Sequence, residues 1–328
     1  RSGVSDSGSL VSFETTLPIG TTRMRMAPAL ERESGLIEGS HFHVVFSPER
    51  VLTGRIFSDL TRYPKLVGGL SAEGEAAGVK FYSEALDFIS RPDLQADNGV
   101  WPMGSAETAE MVKLVETTYR DVNIGLANQF ARFADSTGID IVRVINAANS
   151  QPFSHVHRPG VAVGGHCIPV YPMFYLWGDP SATIVAAARQ ANRQMPGYAV
   201  EVLKKHLQSL TGISVLVLGA AYRGGVKETA FSGVFDLVRH LEAEGAAAFV
   251  HDPLYSEAEL KGLGLRPLDD WSPVKAVVLQ ADHAEFLSLS PADFPNLRVI
   301  LDGRGFLPRK IWAEWLVTLG GGNDSRLS

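Results

Sequence analysis

The run Ile213-Ser-Val-Leu-Val-Leu218, followed at once by Gly219-Ala-Ala-Tyr-Arg223, decides how this chain folds. A run with one small polar side chain cannot present a wet face and a dry face in turn. It therefore reads as a strand buried on both sides, the pattern of a parallel sheet covered by helices. Gly219 ends the strand with a residue free to turn sharply, and a helical pattern runs over 233–244. Further strands are expected at 247–251, 275–279 and 298–301, so the C-terminal third reads as a repeating α/β unit.

The first hundred residues carry the same texture. Strands are expected at Ser9-Leu-Val-Ser-Phe13, His43-Val-Val-Phe46 and Lys65-Leu-Val-Gly68, with helices after Pro18-Ile-Gly-Thr-Thr22 and over 72–88. Residues 91–103, with two prolines and a glycine, read as a connector. A long helix starts after Ser105, a suitable N-cap, with Glu107 near the positive end of its dipole. Its apolar residues Met111, Leu114, Val115, Thr118, Val122, Leu126, Phe130 and Phe133 recur every three or four positions, so that face is expected to be buried. Lys113 and Thr117, four apart, share a different face. After 181–194 a further helix restarts at Met195-Pro196. These elements divide the chain into an N-terminal α/β domain (1–103), a central helical domain (104–210) and a C-terminal α/β domain (211–328).

At 328 residues and 45% hydrophobic composition the chain can bury a large core. A formal charge of -6 with scattered Lys and Arg argues against nucleic acid or a membrane surface as the main partner. No apolar run approaches the ~20 residues that span a bilayer, and the N-terminus is Ser/Gly-rich, not a basic-then-apolar leader. A single cysteine cannot close an internal disulfide, so a reducing compartment, the cytoplasm, is expected.

That cysteine sits in Pro159-Gly-Val-Ala-Val-Gly-Gly-His-Cys-Ile-Pro-Val-Tyr-Pro172. A lone cysteine is most often a small buried hydrophobe. Here Gly160, Gly164 and Gly165 surround it, and a loop without side chains lets a substrate approach the Cys167 thiol closely. Reactivity needs the thiol ionised by a nearby cation such as Lys113, a helix N-terminus or loop amides. Zinc is a poor alternative, because only His166 adjoins Cys167. A Cys/His hydrolase stays open, although no residue stands out as its orienting partner.

Six blocks, in order, carry a resemblance: Thr15-Thr-Leu-Pro18, Ser47-Pro-Glu-Arg50, the helix 105–124, the loop 159–172, Ala188-Arg-Gln-Ala-Asn-Arg-Gln-Met-Pro196 and Leu301-Asp-Gly-Arg304. Together they resemble the UDP-glucose/GDP-mannose dehydrogenase family, over residues 9–310, and the Gly-Gly-His-Cys-Ile-Pro wording is closer to the branch that oxidises UDP-N-acetyl sugars. The resemblance implies two Rossmann-like parallel-sheet domains joined by a long central helix, NAD as cofactor, a UDP-sugar substrate and a homodimer. It implies that a sugar C6 alcohol is oxidised to a carboxylate in two hydride transfers, for surface polysaccharide. Cys167 would form a thiohemiacetal and then a thioester, Lys113 would hold charge on oxygen, and Glu49 would assist the water or proton steps. Thr117 would stand near the oxyanion. Arg158, Gly160, Gly164, Tyr222, Arg223 and Arg304 would contact the nucleotide sugar, and Thr15, Thr16 and Cys167 the cofactor.

The chain also departs from the family. No Gly-x-Gly-x-x-Gly follows any strand, so the first half of the dinucleotide domain is expected to be missing and the N-terminal sheet incomplete. Tyr171 stands where the family has aspartate, Thr117 where it has asparagine, Thr53 where the glucose enzymes have glutamate, and Ala230 where an arginine reaches the cofactor, with Lys227 nearby. Two other readings therefore stay open beside the dehydrogenase: a nucleotide-sugar-binding or regulatory protein without NAD, and a cysteine hydrolase.

Overall fold

The computed structural model describes residues 8–51 and 54–322; Thr53 lies outside the described residues. It contains two compact units, Arg1–Thr118 with Tyr171–Ser181, and Tyr119–Val170 with Ala182–Ser328.

In the first unit β1 (Ser9–Phe13), β2 (Phe42–Phe46), β3 (Lys65–Gly69) and β4 (Val100–Pro102) stand side by side in chain order. β1 runs parallel to β2 and β3 to β4, while β2 and β3 are antiparallel. The inner strands read FHVVF and KLVGG and bury every residue except His43, because helices cover them. α1 (Ala27–Ser34) and α2 (Ile56–Arg62) lie between the first three strands in sequence. α3 (Ala72–Ala85) is capped by Ser71, whose side chain accepts from Gly74 N–H, and lies on β2 and β3. It comes so close that a Cβ on Gly78 would stand 2.8 Å from Val67.

α4 (Ala106–Thr137) begins at the expected cap, with Ser105 Oγ accepting from Thr108 N–H at 3.1 Å. The expected inward stripe, however, largely faces outward. Val115, Leu126, Phe130 and Phe133 are exposed, Phe133 at 67%, and only Leu114 and Thr118 of that set are buried. The buried face instead carries Glu110, Lys113, Thr117, Asp121 and Asn128 with small Ala106, Ala109, Ala127 and Ala131. Small residues let neighbouring chain come near, and each of four polar groups meets a specific partner. Glu110 accepts from Gly20 N–H and from Thr22 N–H and Oγ1, and Lys113 donates to the main-chain oxygen of Glu49. Asp121 pairs with Arg189 and Asn192, and Asn128 accepts from Gly160 N–H. Burial pushes the Asp121 carboxyl up, opposed by Arg189.

The second unit holds an all-parallel five-stranded sheet in the order β6-β5-β7-β8-β9: β5 (Ser214–Leu218), β6 (Ala247–His251), β7 (Ala276–Leu279), β8 (Val299–Asp302) and β9 (Leu316–Thr318). The run 213–218 supplies an interior strand, β5, flanked by β6 and β7 and buried from Val215 to Leu218. The helix Val234–Ala243 buries Val234, Leu237 and Leu241 against one face, and Phe286, Phe294 and Trp312 fill the other. Strand order reverses at β5, so the crevice between the carboxyl ends of β5 and β7 is where such sheets bind ligands. The segments leaving β5, β7 and β8 start at Gly219, Gln280 and Gly303.

Gly68 on β3 has no room for a side chain, since a Cβ would lie 2.0 Å from Ser105 O. Gly68→Ala is expected to lower stability by about 1–3 kcal/mol, read as a lower urea midpoint at unchanged slope.

Candidate active site

Because β1 and β2 are parallel, their exits share one edge, and two main-chain bonds join them: Ser47 N–H to Phe13 O (2.9 Å) and Glu49 N–H to Glu14 O (3.1 Å). Thr15, exposed, and Thr16, buried, follow β1 at that edge. Glu49 is held from two sides. Its Oε1 accepts from Arg50 N–H (2.6 Å) and Val51 N–H (3.0 Å), and its Oε2 lies 3.6 Å from Lys65 Nζ. Lys113, buried on α4, reaches the same turn through Glu49 O, and Arg50 pairs with Glu116 at 2.5 Å.

The first unit thus brings Lys113 to the turn that carries Glu49. Thr117 behaves differently from expectation. Its hydroxyl donates to Lys113 O (2.9 Å) and is also 3.2 Å from Leu114 O, so the proton is spent on its own helix and is not offered to an oxyanion.

The groups around Lys65 and Glu14 beside Glu49 carried no sequence signal. Lys65, buried at the start of an apolar strand, lies 3.3 Å from Glu14 as well as near Glu49, and stands 4.8 Å from the Tyr82 ring centroid. Tyr82 Oη donates to Glu14 and lies 2.7 Å from Ser12 Oγ. A lone lysine in a strand reads like any strand-end lysine; only the fold sets it between two carboxylates.

In the second unit the cysteine loop lies on the turn after β5. A Cβ on Gly164 would come 2.6 Å from Tyr222 Cβ, and one on Gly165, already at φ +89°, 3.0 Å from its ring. Gly165 N–H donates to Ala230 O (2.9 Å), and His166 Nε2 is 3.3 Å from Glu228. Cys167 is half-buried, and its carbonyl accepts from Val170 N–H. Phe231, beside Gly164, holds φ +50° with an exposed ring, a conformation a bulky residue rarely adopts away from a functional site.

The nucleotide-side residues gather in this unit too. Arg304 clamps the turn, with Nε donating to Gln280 O (2.7 Å) and Nη2 to Tyr222 O (2.6 Å), which leaves Nη1 toward Gly160. Burial pulls its guanidinium below the ordinary arginine value, opposed by Asp282 and Asp302. Arg304, Arg158, Gly303 and Thr318 line a cleft of about 230 Å³. Arg158 itself leans on Asn146 Oδ1 (2.5 Å), and Arg223 Nε donates to Tyr222 Oη (3.2 Å). Lys227, near Ala230, pairs with Glu259 (2.5 Å) and lies over the Tyr255 ring.

Comparison with known proteins assigns these parts. Residues 2–86 match the NAD binding domain, 107–194 the central domain and 216–309 the UDP binding domain of the UDP-glucose/GDP-mannose dehydrogenase family. The chain is 34% identical over 312 residues to UDP-N-acetyl-D-mannosamine dehydrogenase of Pyrococcus horikoshii, covering 93% of this chain and 71% of that protein. The chain belongs to this family.

Solved structures agree with that membership. The UDP-D-ManNAc dehydrogenase of Pyrococcus horikoshii superposes with a TM-score of 0.84 at 32% identity, over 97% of this chain and 74% of that one. A UDP-glucose dehydrogenase from Pyrobaculum islandicum gives 0.82 at 25% identity, over 97% and 71%. The UDP-glucose/GDP-mannose dehydrogenase family consists of NAD-dependent oxidoreductases acting on nucleotide sugars, and the α/β expectation holds with it. The NAD binding domain match over residues 2–86 takes in the strand-end hydroxyls of Thr15 and Thr16, and residues 1–328 contain no Gly-x-Gly-x-x-Gly.

Burial first, and then the bond to Glu14, push the Tyr82 hydroxyl up from 10.0 to about 12. Between those values the unfolded chain loses the proton and the folded one keeps it, so stability falls as pH rises through that window. Tyr82→Phe is expected to remove that part of the alkaline loss, read from denaturation midpoints across it.

Proposed function

We propose that the protein oxidises the C6 alcohol of a UDP-N-acetylhexosamine, UDP-N-acetylmannosamine foremost, to the uronate, with Cys167 as the acyl-forming nucleophile. The observation that carries this is the seating of Gly164 and Gly165 on Tyr222, which ties the loop bearing the lone thiol to the turn of the UDP binding domain. The names of the relatives support the substrate.

When bound, NAD accepts one hydride in each of the two oxidations. The chain's own residues do the rest. Once the C6 alcohol has become an aldehyde, Cys167 Sγ adds to its carbonyl carbon and the oxygen takes a proton, giving a thiohemiacetal. Oxidation of that adduct leaves a thioester on Cys167. Water then attacks the acyl carbon, the carboxylate leaves, and the thiol is restored. Lys113 holds the negative charge that builds on oxygen in the additions, and Glu49, with its carboxylate fixed by Arg50, Val51 and Lys65, assists the water and proton steps. Tyr171 offers a phenol where a carboxylate would promote hydrolysis, which makes thioester breakdown the slow step. Arg158, Gly160, Gly164, Tyr222, Arg223 and Arg304 hold the nucleotide.

The product fits a role in surface polysaccharide, and the lone cysteine fits the cytoplasm. The outward stripe of α4 fits a homodimer. Val115, Tyr119, Leu126, Phe130 and Phe133 are exposed along one helix, and Phe130 and Phe133 open onto an apolar groove of about 230 Å³ with Ile139 and Val144.

Incubation with UDP-sugars and NAD is expected to release two NADH per sugar, with none from Cys167→Ser and roughly a 10²–10³-fold loss of rate in Lys113→Ala. UDP-sugar binding without NADH would instead favour the binding-protein reading, and ester turnover without NAD the hydrolase. Phe133→Glu is expected to shift sedimentation from dimer to monomer.

A further inference from the structure

Asp252 and His283 are both fully buried in the second unit, and the chemistry above uses neither. Asp252 directly follows β6, and its carboxylate gathers four donors. Oδ2 accepts from Ala220 N–H (2.8 Å), Ala221 N–H (2.9 Å) and His283 Nε2 (3.1 Å), and Oδ1 accepts from Leu254 N–H (2.9 Å). Burial works against the charge, but the bonds from His283, Ala221 and Leu254 outweigh it and hold the carboxyl below its ordinary value. An ionised carboxylate only accepts, so Nε2 of His283 carries the proton and Nδ1 is left as an acceptor. That Nδ1 faces Gly225 N–H at 3.4 Å.

The two side chains therefore grip both ends of one short segment. Asp252 holds Ala220 and Ala221 where the chain leaves β5; His283 holds Gly225 where the turn closes. Between them lie Tyr222 and Arg223. Asp282 adds a bond to Gly224 N–H (2.9 Å), and Gly224 is so close to the β7 exit that a Cβ would stand 2.0 Å from Asp282 O. A turn that needed only to connect β5 to the next helix would not require a buried carboxylate beneath it, because burying charge is costly unless every contact is satisfied.

We propose that Asp252 and His283 are positioning residues that latch the 219–225 turn from below and so set affinity for the uridine diphosphate of the substrate. The inference rests on the reading of this turn as the nucleotide contact. His283 links the two anchors: its Nε2 side keeps Asp252 aligned on the strand exit, and its Nδ1 side fixes where Arg223 stands.

Two replacements separate those sides. His283→Gln keeps a donor near Asp252 but offers Gly225 nothing, whereas His283→Asn keeps an acceptor near the Nδ1 position. UDP binding to the full chain by calorimetry is expected to weaken about tenfold in His283→Gln and no more than about threefold in His283→Asn. Without ligand, tryptic cleavage after Arg223 is expected to accelerate in His283→Gln and to stay near wild type in His283→Asn. Equal weakening by both variants, in step with their melting temperatures, would reduce His283 to packing and overturn the latch, as would unchanged cleavage in His283→Gln. Failure of the wild type to bind UDP would overturn the substrate reading alone, because the cleavage comparison decides the latch without any ligand.

Discussion

A helix that turns its polar side inward must satisfy the groups it buries, and on α4 that requirement organises the molecule. Glu110 takes the main chain at Gly20 and Thr22, Lys113 the carbonyl of Glu49, Asp121 the Arg189–Asn192 pair, and Asn128 the amide of Gly160. Two of those partners are segments given functional roles here, the Glu49 turn and the start of the cysteine loop. The same side chains that would be a liability in an apolar core become fixed points from which loops are hung. Residues with small side chains between them keep the loops close.

What could be read from the chain follows from how each element announces itself. The run 213–218 is apolar but for Ser214, and the sheet places it between β6 and β7, where both faces are covered. Glycines around Cys167 signal close approach by a substrate; what the structure shows beside Gly164 and Gly165 is the Tyr222 side chain. The α4 stripe was misjudged for a physical reason: periodicity says which residues share a face, but not whether that face meets the core or another surface. Lys65 was silent because its importance lies in Glu14 and Glu49, far apart in sequence and joined only by strand pairing. β9, three half-buried residues long, has too few positions to show any period.

The departures from the family pattern also sort themselves by geometry. The Thr117 hydroxyl bonds to α4, and Lys227, near Ala230, pairs with Glu259. The contacts of Glu49, Lys113 and the 219–225 turn are built from side chains present in this chain.

The seating of Gly164 and Gly165 on Tyr222 has a further consequence for how the site can change. Its middle holds no spare volume: a single methyl group at either glycine would collide with the tyrosine, and one at Gly224 with the main chain of Asp282. Substitution therefore has no freedom at the centre of this packing. It has to act at the margin, on a side chain such as Phe231 whose ring stands in solvent, where bulk can be added or removed while the thiol-bearing loop keeps its seat.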